Sequence, residues 1–390
     1  MSRPDVMIVG AGMAGLTCAR RLVDRGLDVV VLESSDGVGG RVRTDEVDGF
    51  RLDRGFQVLP LSYPEARSAL RYEPLHLRQF ERGAIVRFQG RFHRIVDPRR
   101  SPLQGVRSLA SGVVRPRDSV AVPRLLSLNG RETTTLEALR EAGVSRALTD
   151  GFFTPFLRGI FLERELSTSS RFLRFVLDAF SSGPAAVPYR GMGAIAEQLA
   201  HGIDVRTGVA VAGVDPGAVR LESGETLEAG AVVVATAGLL DDLHVRWNGV
   251  SCLYFDAPAP PIPGAWLLLD GEGSGPANNV CTLSEVSPGY APPGRALVSA
   301  SVVGSGEPDE EAVLHQLETW FGSAVRNWRL LRSYAIPQAL PAYPAGSSFD
   351  SDPRLEKGLY ACGDHRSHPS LNGALASGRR AADAVLADAA

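Results

Sequence analysis

Three glycines near the amino terminus, Gly10, Gly12 and Gly15, have the spacing of a turn that binds a dinucleotide. The first glycine permits a tight turn, the second lets the backbone approach a pyrophosphate, and the third lets a helix pack closely on a strand. Glu33 follows about twenty residues later, where its carboxylate can accept hydrogen bonds from a ribose diol. These residue types at this spacing favour dinucleotide binding over an ordinary glycine-rich turn.

The elements around these glycines are the ones that such a turn requires. Residues 5–9 predict a short apolar strand, residues 16–25 a helix, and residues 28–32 a second strand that leads into Glu33. Because the helix begins at the glycine turn, its free N–H groups and the positive end of its dipole would face the phosphates. The sequence therefore predicts a β-α-β unit at the amino terminus.

A second glycine-rich element follows Glu33 and favours FAD over NAD as the dinucleotide. Gly39 and Gly40 would let another loop close over the pyrophosphate. Arg41 or Arg43 could then supply a fixed cation to it. The alternative is a flexible surface loop with a solvated arginine.

At this element the chain resembles the large flavoprotein group that contains amine oxidases, protoporphyrinogen oxidases and phytoene desaturase-like carotenoid desaturases and isomerases. The resemblance rests on the glycine turn, on Glu33, on residues 39–41 and on residues 48–57. It implies that residues 48–57 lie beside the flavin ring.

Three further segments carry the resemblance. Residues 358–364 predict a strand that ends in Asp364, and the matching acid of the family hydrogen-bonds the ribityl chain of FAD. Residues 370–378 begin the last predicted helix, whose N–H groups would face the flavin edge where negative charge develops on reduction. In relatives, a valine like Val209 pairs its backbone with the adenine, and a segment like 235–237 closes near the phosphates.

These motifs predict an α/β fold, in which a Rossmann-like FAD-binding domain, with a parallel sheet and a β-meander, accompanies a discontinuous mixed α+β substrate domain. The FAD-binding domain is expected to comprise residues 1–75, 190–240 and 350–390. The substrate domain is expected to comprise residues 76–189, which look helix-rich, and residues 241–349, which contain strand-like stretches. The residues expected to bind FAD are Gly10, Ala11, Gly12, Met13, Ala14, Gly15, Glu33, Ser34, Gly39, Gly40, Arg41, Gly55, Phe56, Gln57, Val209, Thr236, Ala237, Gly363, Asp364, Ser370, Leu371, Asn372, Gly373 and Ala374.

The resemblance implies an FAD-dependent oxidoreductase that desaturates an apolar, polyene-like or tetrapyrrole-like small molecule by hydride transfer to flavin N5. A second dinucleotide fingerprint, frequent in flavoenzymes that NAD(P)H reduces, is missing, which favours oxidation of the substrate by the flavin. Reoxidation would then use dioxygen, a quinone or another acceptor. Many amine oxidases of the group hold a water near N5 with a lysine, whereas the sole lysine here, Lys357, lies elsewhere. An amine oxidase and a redox-neutral flavin-dependent isomerase are the alternatives. The intact motifs disfavour a non-catalytic protein like the Rab GDP-dissociation inhibitors, which share the architecture.

His365 and Tyr343 are the candidate catalytic residues. His365 and His368 follow Asp364 closely and should approach the flavin, as a base, as a covalent attachment point or as hydrogen-bonded loop residues. Tyr343 could lie over the flavin ring or be an ordinary core residue. Three further side chains could line the substrate pocket: Trp266, Asn278 and Asn279.

Composition and charge limit the partners and the cellular compartment that we expect for this chain. The chain has 390 residues and a net charge of -3, which gives no reason to expect nucleic acid as a partner. Its four cysteines lack metal-type spacing, so we expect no metal and reduced thiols in the cytoplasm. The predicted strand at residues 5–9 leaves no room for a signal peptide. Basic charge is almost all arginine, which suggests a GC-rich bacterial source.

Residues 99–131 mix arginines with aliphatic side chains. Such a stretch could lie on the inner face of a membrane as a peripheral contact. The alternative is an ordinary helical cap over the substrate cavity.

Overall fold

The computed structural model describes residues 3–96, 111–127, 132–240 and 245–389. The strands are, in chain order, β1 (Val6–Val9), β2 (Val29–Glu33), β3 (Thr44–Val47), β4 (Phe50–Asp53), β5 (Leu59–Pro60), β6 (Arg78–Gln79), β7 (Ala84–Phe88), β8 (Arg91–Ile95), β9 (Ala185–Val187), β10 (Asp204–Thr207), β11 (Val211–Asp215), β12 (Ala218–Leu221), β13 (Thr226–Glu228), β14 (Ala231–Val234), β15 (Trp247–Ala257), β16 (Leu267–Asp270), β17 (Ala277–Thr282), β18 (Ala296–Val303), β19 (Arg329–Pro341), β20 (Arg354–Glu356) and β21 (Leu359–Ala361).

The helices are, in chain order, α1 (Met13–Val23), α2 (Pro64–Ala69), α3 (Asp118–Ser127), α4 (Thr135–Glu141), α5 (Arg146–Leu148), α6 (Thr154–Phe161), α7 (Ser170–Ser182), α8 (Gly193–Ala200), α9 (Leu283–Val286), α10 (Glu310–Phe321) and α11 (Leu371–Ala389). A π-helical turn, Thr149–Phe153, joins α5 to α6.

A six-stranded sheet with the order β10-β2-β1-β14-β21-β20 carries the amino-terminal motif. All its pairs are parallel except the edge pair of β20 and β21. The strands β1 and β2 are wholly buried because this type of sheet is covered on both faces. Helices α1 and α11 cross so closely that a Cβ on Gly378 would lie 2.2 Å from the Ala14 carbonyl oxygen. The predicted parallel sheet is confirmed, with an antiparallel edge strand added.

A three-stranded antiparallel meander, β11-β12-β13, accompanies the parallel sheet, as expected. A larger sheet has the order β19-β15-β18-β17-β16-β7-β8 and is antiparallel apart from the β16–β7 pair. Helix α10 packs on this sheet through Val313, Leu317 and Trp320. The mixed α/β fold class is therefore confirmed, while the domain boundaries stay a prediction.

The structure adds strands to the second sheet that were not predicted. The segment 76–189 contains helices α3 to α7, as expected, and it also supplies the hairpin β7–β8, which pairs with β16 from far along the chain. The two long strands β15 and β19, which pair with each other, were not predicted from their sequences.

The candidate membrane stretch, residues 99–131, lies partly outside the described residues. Its described part, 111–127, contains α3. In the described part of the chain, no helix has both the length and the apolar character needed to cross a bilayer.

Candidate functional site

One cavity of about 1700 Å³ connects the two sheets. It begins at the carboxyl ends of β1, β2 and β14, where Gly10, Glu33 and Ala235 line it. It continues between the larger sheet and helices α3, α6 and α7. In open α/β sheets, ligands bind beyond the carboxyl ends of the strands, which is where this cavity starts.

The two glycine loops meet at this end of the cavity. The Gly39 N–H donates to the Ala11 carbonyl oxygen at 2.8 Å, and a Cβ on Gly40 would lie only 3.3 Å from the Gly12 Cα. Helix α1 begins at Met13, and no described side chain caps its amino terminus. The N–H groups of its first turn are therefore free to bind a ligand in the cavity, which suits a pyrophosphate.

Glu33 fastens the first loop. Its carboxylate accepts hydrogen bonds from the N–H groups of Ala11 at 2.8 Å and Ser35 at 2.9 Å. The side chain is buried but lines the cavity. Because each carboxylate oxygen has a second lone pair, Glu33 can hold the loop and still accept a bond from a ribose hydroxyl.

Arg41, rather than Arg43, lines the cavity. Its guanidinium donates to the Asp364 carboxylate at 2.6 Å and lies over the Trp247 ring at 5.2 Å from the centroid. Arg43 instead pairs with Asp36 at 2.8 Å. The structure thus brings together the two predicted polar contacts, Arg41 and Asp364, as an ion pair at the cavity wall.

Asp53 anchors the segment that was expected beside the flavin ring. Its buried carboxylate accepts hydrogen bonds from the Thr44 hydroxyl at 2.5 Å, the Tyr290 hydroxyl at 2.6 Å and the Met192 N–H at 2.9 Å. Burial raises the pKa of Asp53 to about 6. Asp53 is the last residue of β4, and the stretch 55–57, which lines the cavity, comes shortly after it.

Most of the predicted FAD contacts line this cavity. They are Gly10, Gly12, Met13, Ala14, Glu33, Ser34, Gly39, Gly40, Arg41, Gly55, Phe56, Gln57, Val209, Thr236, Ala237, Gly363, Asp364, Ser370, Leu371 and Ala374.

Four predicted FAD contacts do not line the cavity and have structural roles. Ala11 donates to Glu33 as described, and a Cβ on Gly15 would lie 2.0 Å from the Gly10 carbonyl oxygen. The Asn372 side chain accepts the Glu65 N–H at 3.0 Å, at the start of α2. A Cβ on Gly373 would lie 2.0 Å from the carbonyl oxygen of residue 368, so this glycine is required by the chain itself.

Of the two candidate catalytic residues, only His365 lines the cavity. Its ring lies against Gly363, where a Cβ would lie 2.2 Å from its Cε1 atom. Its Nε2 atom is buried and has no hydrogen-bond partner among the described residues. Burial lowers the pKa of His365 below its ordinary value, so the ring is neutral at neutral pH.

Tyr343 and His368 lie in an aromatic cluster outside the cavity. The ring centroid of Tyr343 is 5.6 Å from that of Phe172, and its hydroxyl donates to the Ser347 carbonyl at 3.3 Å. The His368 ring lies 4.4 Å from that of Phe175, and burial lowers the pKa of His368 to about 4. The core interpretation of Tyr343 therefore fits the structure better than a place over the ring.

The far part of the cavity is apolar. Phe152 stacks on Phe156 with a centroid distance of 5.4 Å, and Phe180 meets Phe156 edge-on. The sequence interpretation did not single out these residues, although phenylalanines recur along residues 152–180. The phenylalanines that line this part are Phe152, Phe153, Phe156, Phe172 and Phe180.

Asn279 also lines the cavity, whereas Asn278 and Trp266 do not. Trp266 packs beneath the Arg94 guanidinium at 5.2 Å. The described residues contain no group of three or more His, Cys, Asp or Glu side chains placed to hold a metal ion.

The parallel sheet, the two glycine loops and the acid at the tip of β2 define a dinucleotide-binding α/β protein with an attached apolar pocket. The chain belongs to the flavin-containing amine oxidoreductase family, whose model matches residues 13–386. The predicted family, the oxidoreductase class and FAD as the cofactor are thereby confirmed.

The chain is also similar to individual proteins and solved structures. A carotenoid 3,4-desaturase of Haloarcula japonica is 49% identical over 55 residues, which are 14% of this chain and 11% of that protein. The structure of an oxidoreductase from Methanosarcina mazei matches 96% of this chain and 98% of its own with a TM-score of 0.76 and 19% identity. Cyclohexylamine oxidase from Brevibacterium oxydans matches 100% of both chains with a TM-score of 0.71 and 18% identity. At such identities the structural matches show the fold alone.

The residues present fit FAD. No described side chain caps the α1 terminus, and a Cβ on Gly12 would meet nothing within 4 Å, which leaves room for a pyrophosphate beside this glycine. Glu33 lies where a ribose would follow. The unpartnered Nε2 atom of His365 and the amino terminus of α11 border the cavity farther along, where the resemblance places the flavin.

Proposed function

We propose that this chain desaturates an apolar small molecule in an FAD-dependent reaction. The observation that carries the proposal is the continuity of one cavity from the glycine loops to a wall of phenylalanines. When bound, FAD would supply the two-electron acceptor that removal of a hydride from the substrate requires. The electron acceptor that follows is expected to be dioxygen or a quinone.

We assign the binding roles to the residues that line the cavity. The N–H groups of the α1 terminus and Arg41 would hold the pyrophosphate, and Glu33 a ribose. Asp364, already oriented by Arg41, would bind the ribityl chain. The predicted division into an FAD domain and a substrate domain places these groups in the first and the phenylalanine wall in the second.

The chemistry needs few protein groups. The phenylalanine wall excludes water and gives an apolar substrate its binding energy, since burying apolar surface is worth about 25 cal/mol per Å². His365 is the side chain that we propose as base or polariser, because it lines the cavity, its ring is neutral and its buried Nε2 atom has no hydrogen-bond partner among the described residues. Its covalent attachment to the flavin is the alternative.

The test is anaerobic mixing of the FAD-loaded chain with an apolar polyene and, separately, with putrescine and cyclohexylamine. Desaturation predicts loss of flavin absorbance with the polyene and a product lighter by two hydrogen atoms. An isomerase would give a product of unchanged mass with no acceptor consumed. Bleaching by the amines alone would refute the proposal in favour of an amine oxidase.

A His365→Gln variant tests the proposed base. If His365 accepts a proton during the reaction, the fall of kcat/KM towards low pH in the wild type will be absent from the variant, and the rate will be lower. An unchanged pH profile would remove His365 from the chemistry.

We further propose that α3 contacts a membrane surface from the cytoplasmic side. Val120 is 71% exposed on this helix, with Arg117 and Arg124 exposed nearby, while Val122 and Leu126 line the cavity. A substrate dissolved in lipid would then enter beside α3. Flotation with anionic vesicles is the test, and a chain that stays at the bottom of the gradient contradicts the proposal.

A further inference from the structure

The Asn279 amide interrupts the apolar wall of the cavity, and Asn278 is its neighbour along the chain. Asn278 and Asn279 lie in β17, and the register of β17 against β18 shifts between Ala277 and Asn279. Successive residues of a regular strand point to opposite faces, whereas such an irregularity can re-aim a side chain. As a result, both amides face helix α6, where a Cβ on Gly159 would lie within 3.2 Å of each.

Gly159 leaves the Asn279 amide open to the cavity. It lies within α6, where a glycine is less favourable than an alanine. A Cβ there would lie 3.1 Å from the Asn279 Oδ1 atom and 3.2 Å from the Asn278 Nδ2 atom. Both Gly159 and Asn279 line the cavity.

The hydrogen bonds of the pair leave Asn279 incompletely satisfied. Asn278 donates from Nδ2 to the Pro155 carbonyl oxygen at 2.8 Å and to Asn279 Oδ1 at 3.0 Å, which uses both of its amide hydrogens. Asn279 donates one hydrogen to the Ser301 hydroxyl at 3.3 Å. By the capacity of an amide, one hydrogen on Nδ2 and one lone pair on Oδ1 of Asn279 are left for a ligand.

The position is close to the predicted flavin contacts. Ser301, the partner of Asn279, pairs across the sheet with Cys252. Cys252 in turn lies close enough to the Ser301 side chain and to the Phe56 backbone for both to act on the pKa of its thiol. Phe56 belongs to the cavity-lining segment expected beside the flavin ring.

The geometry points to Asn279 as the residue that recognises a hydroxyl group on an otherwise apolar substrate. This inference rests on the proposed function, and it specifies that the apolar substrate carries one hydroxyl group. A hydroxyl offers one donor and two acceptor sites, so it can satisfy both free positions of Asn279 at once. Because the amide is 4% exposed, a hydrocarbon in its place would leave buried polar atoms without partners.

The experiment measures binding to the FAD-loaded full chain through perturbation of the flavin spectrum. The probes are farnesol, its methyl ether and the hydrocarbon farnesene. We expect farnesol to bind about tenfold more tightly than farnesene, because a hydrogen bond to one buried polar group contributes about that factor to the affinity. The methyl ether, which cannot donate, is expected to lie between them.

Three variants make the inference specific. In Asn279→Leu and Gly159→Ala, the preference for farnesol is expected to disappear while farnesene still binds. Because a folded pocket is needed to bind farnesene, retained binding of farnesene shows that the loss of preference in either variant is not caused by unfolding. Asn248→Leu is the matched control, because Asn248 also donates to a carbonyl of α6, that of Phe161, at 2.8 Å but does not line the cavity.

Equal binding of farnesol and farnesene by the wild type would overturn the inference while leaving the proposed apolar substrate intact. Retention of the preference in Asn279→Leu would also overturn it. Failure of all three probes to bind would overturn the proposed substrate class and this inference with it.

Discussion

Gly12 and Gly15 belong to the same motif, but the polypeptide itself requires only one of them. A Cβ on Gly15 would lie 2.0 Å from the Gly10 carbonyl oxygen and 3.1 Å from the Ala235 Cβ. A Cβ on Gly12 would meet nothing within 4 Å, and the φ of Gly12 is -75°, which any residue adopts. The need for glycine at position 12 must therefore come from the ligand.

The two alanine variants should separate folding from FAD binding. Gly15→Ala forces a methyl into a fixed backbone carbonyl and is expected to lower the free energy of unfolding by about 3 kcal/mol. In Gly12→Ala, two effects oppose each other: alanine is a poorer N-cap residue than glycine, but it reduces the conformational entropy of the unfolded chain. The free energy of unfolding should therefore change by no more than about 1 kcal/mol. A pyrophosphate packed on Gly12 would overlap the new methyl, which should weaken FAD binding at least about tenfold.

Urea unfolding of the FAD-free chain, followed by tryptophan fluorescence, measures the first quantity. Titration of FAD, followed by quenching of its fluorescence, measures the second. Wild-type FAD affinity in Gly12→Ala would refute the placement of the pyrophosphate at this loop. Loss of stability in Gly12→Ala as large as that in Gly15→Ala would refute the separation of roles.

Three further predictions follow from buried ionisable groups. The Glu33 carboxylate accepts hydrogen bonds from two backbone N–H groups, and in Glu33→Gln one of these groups would face the N–H of the new amide. The free energy of unfolding, measured by urea titration, should therefore fall by about 2 kcal/mol. Glu222→Gln, at another acid lining the cavity, should show no such loss, and equal effects would contradict the reasoning. Burial raises the pKa of Asp53 from 3.8 to about 6, so the folded chain retains a proton that the unfolded chain releases, and Asp53 makes stability fall as the pH rises from about 4 to 6. Asp53→Asn should remove that fall, and an unchanged pH dependence of the urea midpoint would contradict it. Burial lowers the pKa of His368 from 6.5 to about 4, so stability from this residue is lost as the pH falls through that interval. His368→Phe should be less sensitive to acid than the wild type, and a variant equally sensitive would refute the assignment.

The cofactor side of the molecule could be predicted because its motif is local. The glycine spacing at Gly10–Gly15 determines where the chain turns, how α1 begins and how closely α1 packs, all within one β-α-β unit. The loop around Gly39 meets this unit through backbone contacts that glycines alone allow. These requirements are stereochemical, so they are visible in the residue types.

The substrate side could not be predicted in this way because distant segments build it. The β7–β8 hairpin joins the larger sheet through β16, nearly two hundred residues later. Likewise, the choice between Arg41 and Arg43 depends on Asp364 and Asp36, and only the folded chain brings the first pair together. As an aromatic residue, Tyr343 could have lined the pocket. Its packing against Phe172 depends on the tertiary structure and is not visible in the sequence.

The most direct test of the account is the FAD content of the purified full chain, measured from its visible spectrum and then from the flavin released or retained after acid precipitation. We expect a yellow protein with one FAD per chain, and a lower FAD content in Gly12→Ala. A colourless wild-type chain that FAD cannot reconstitute would contradict the placement of the cofactor in this cavity.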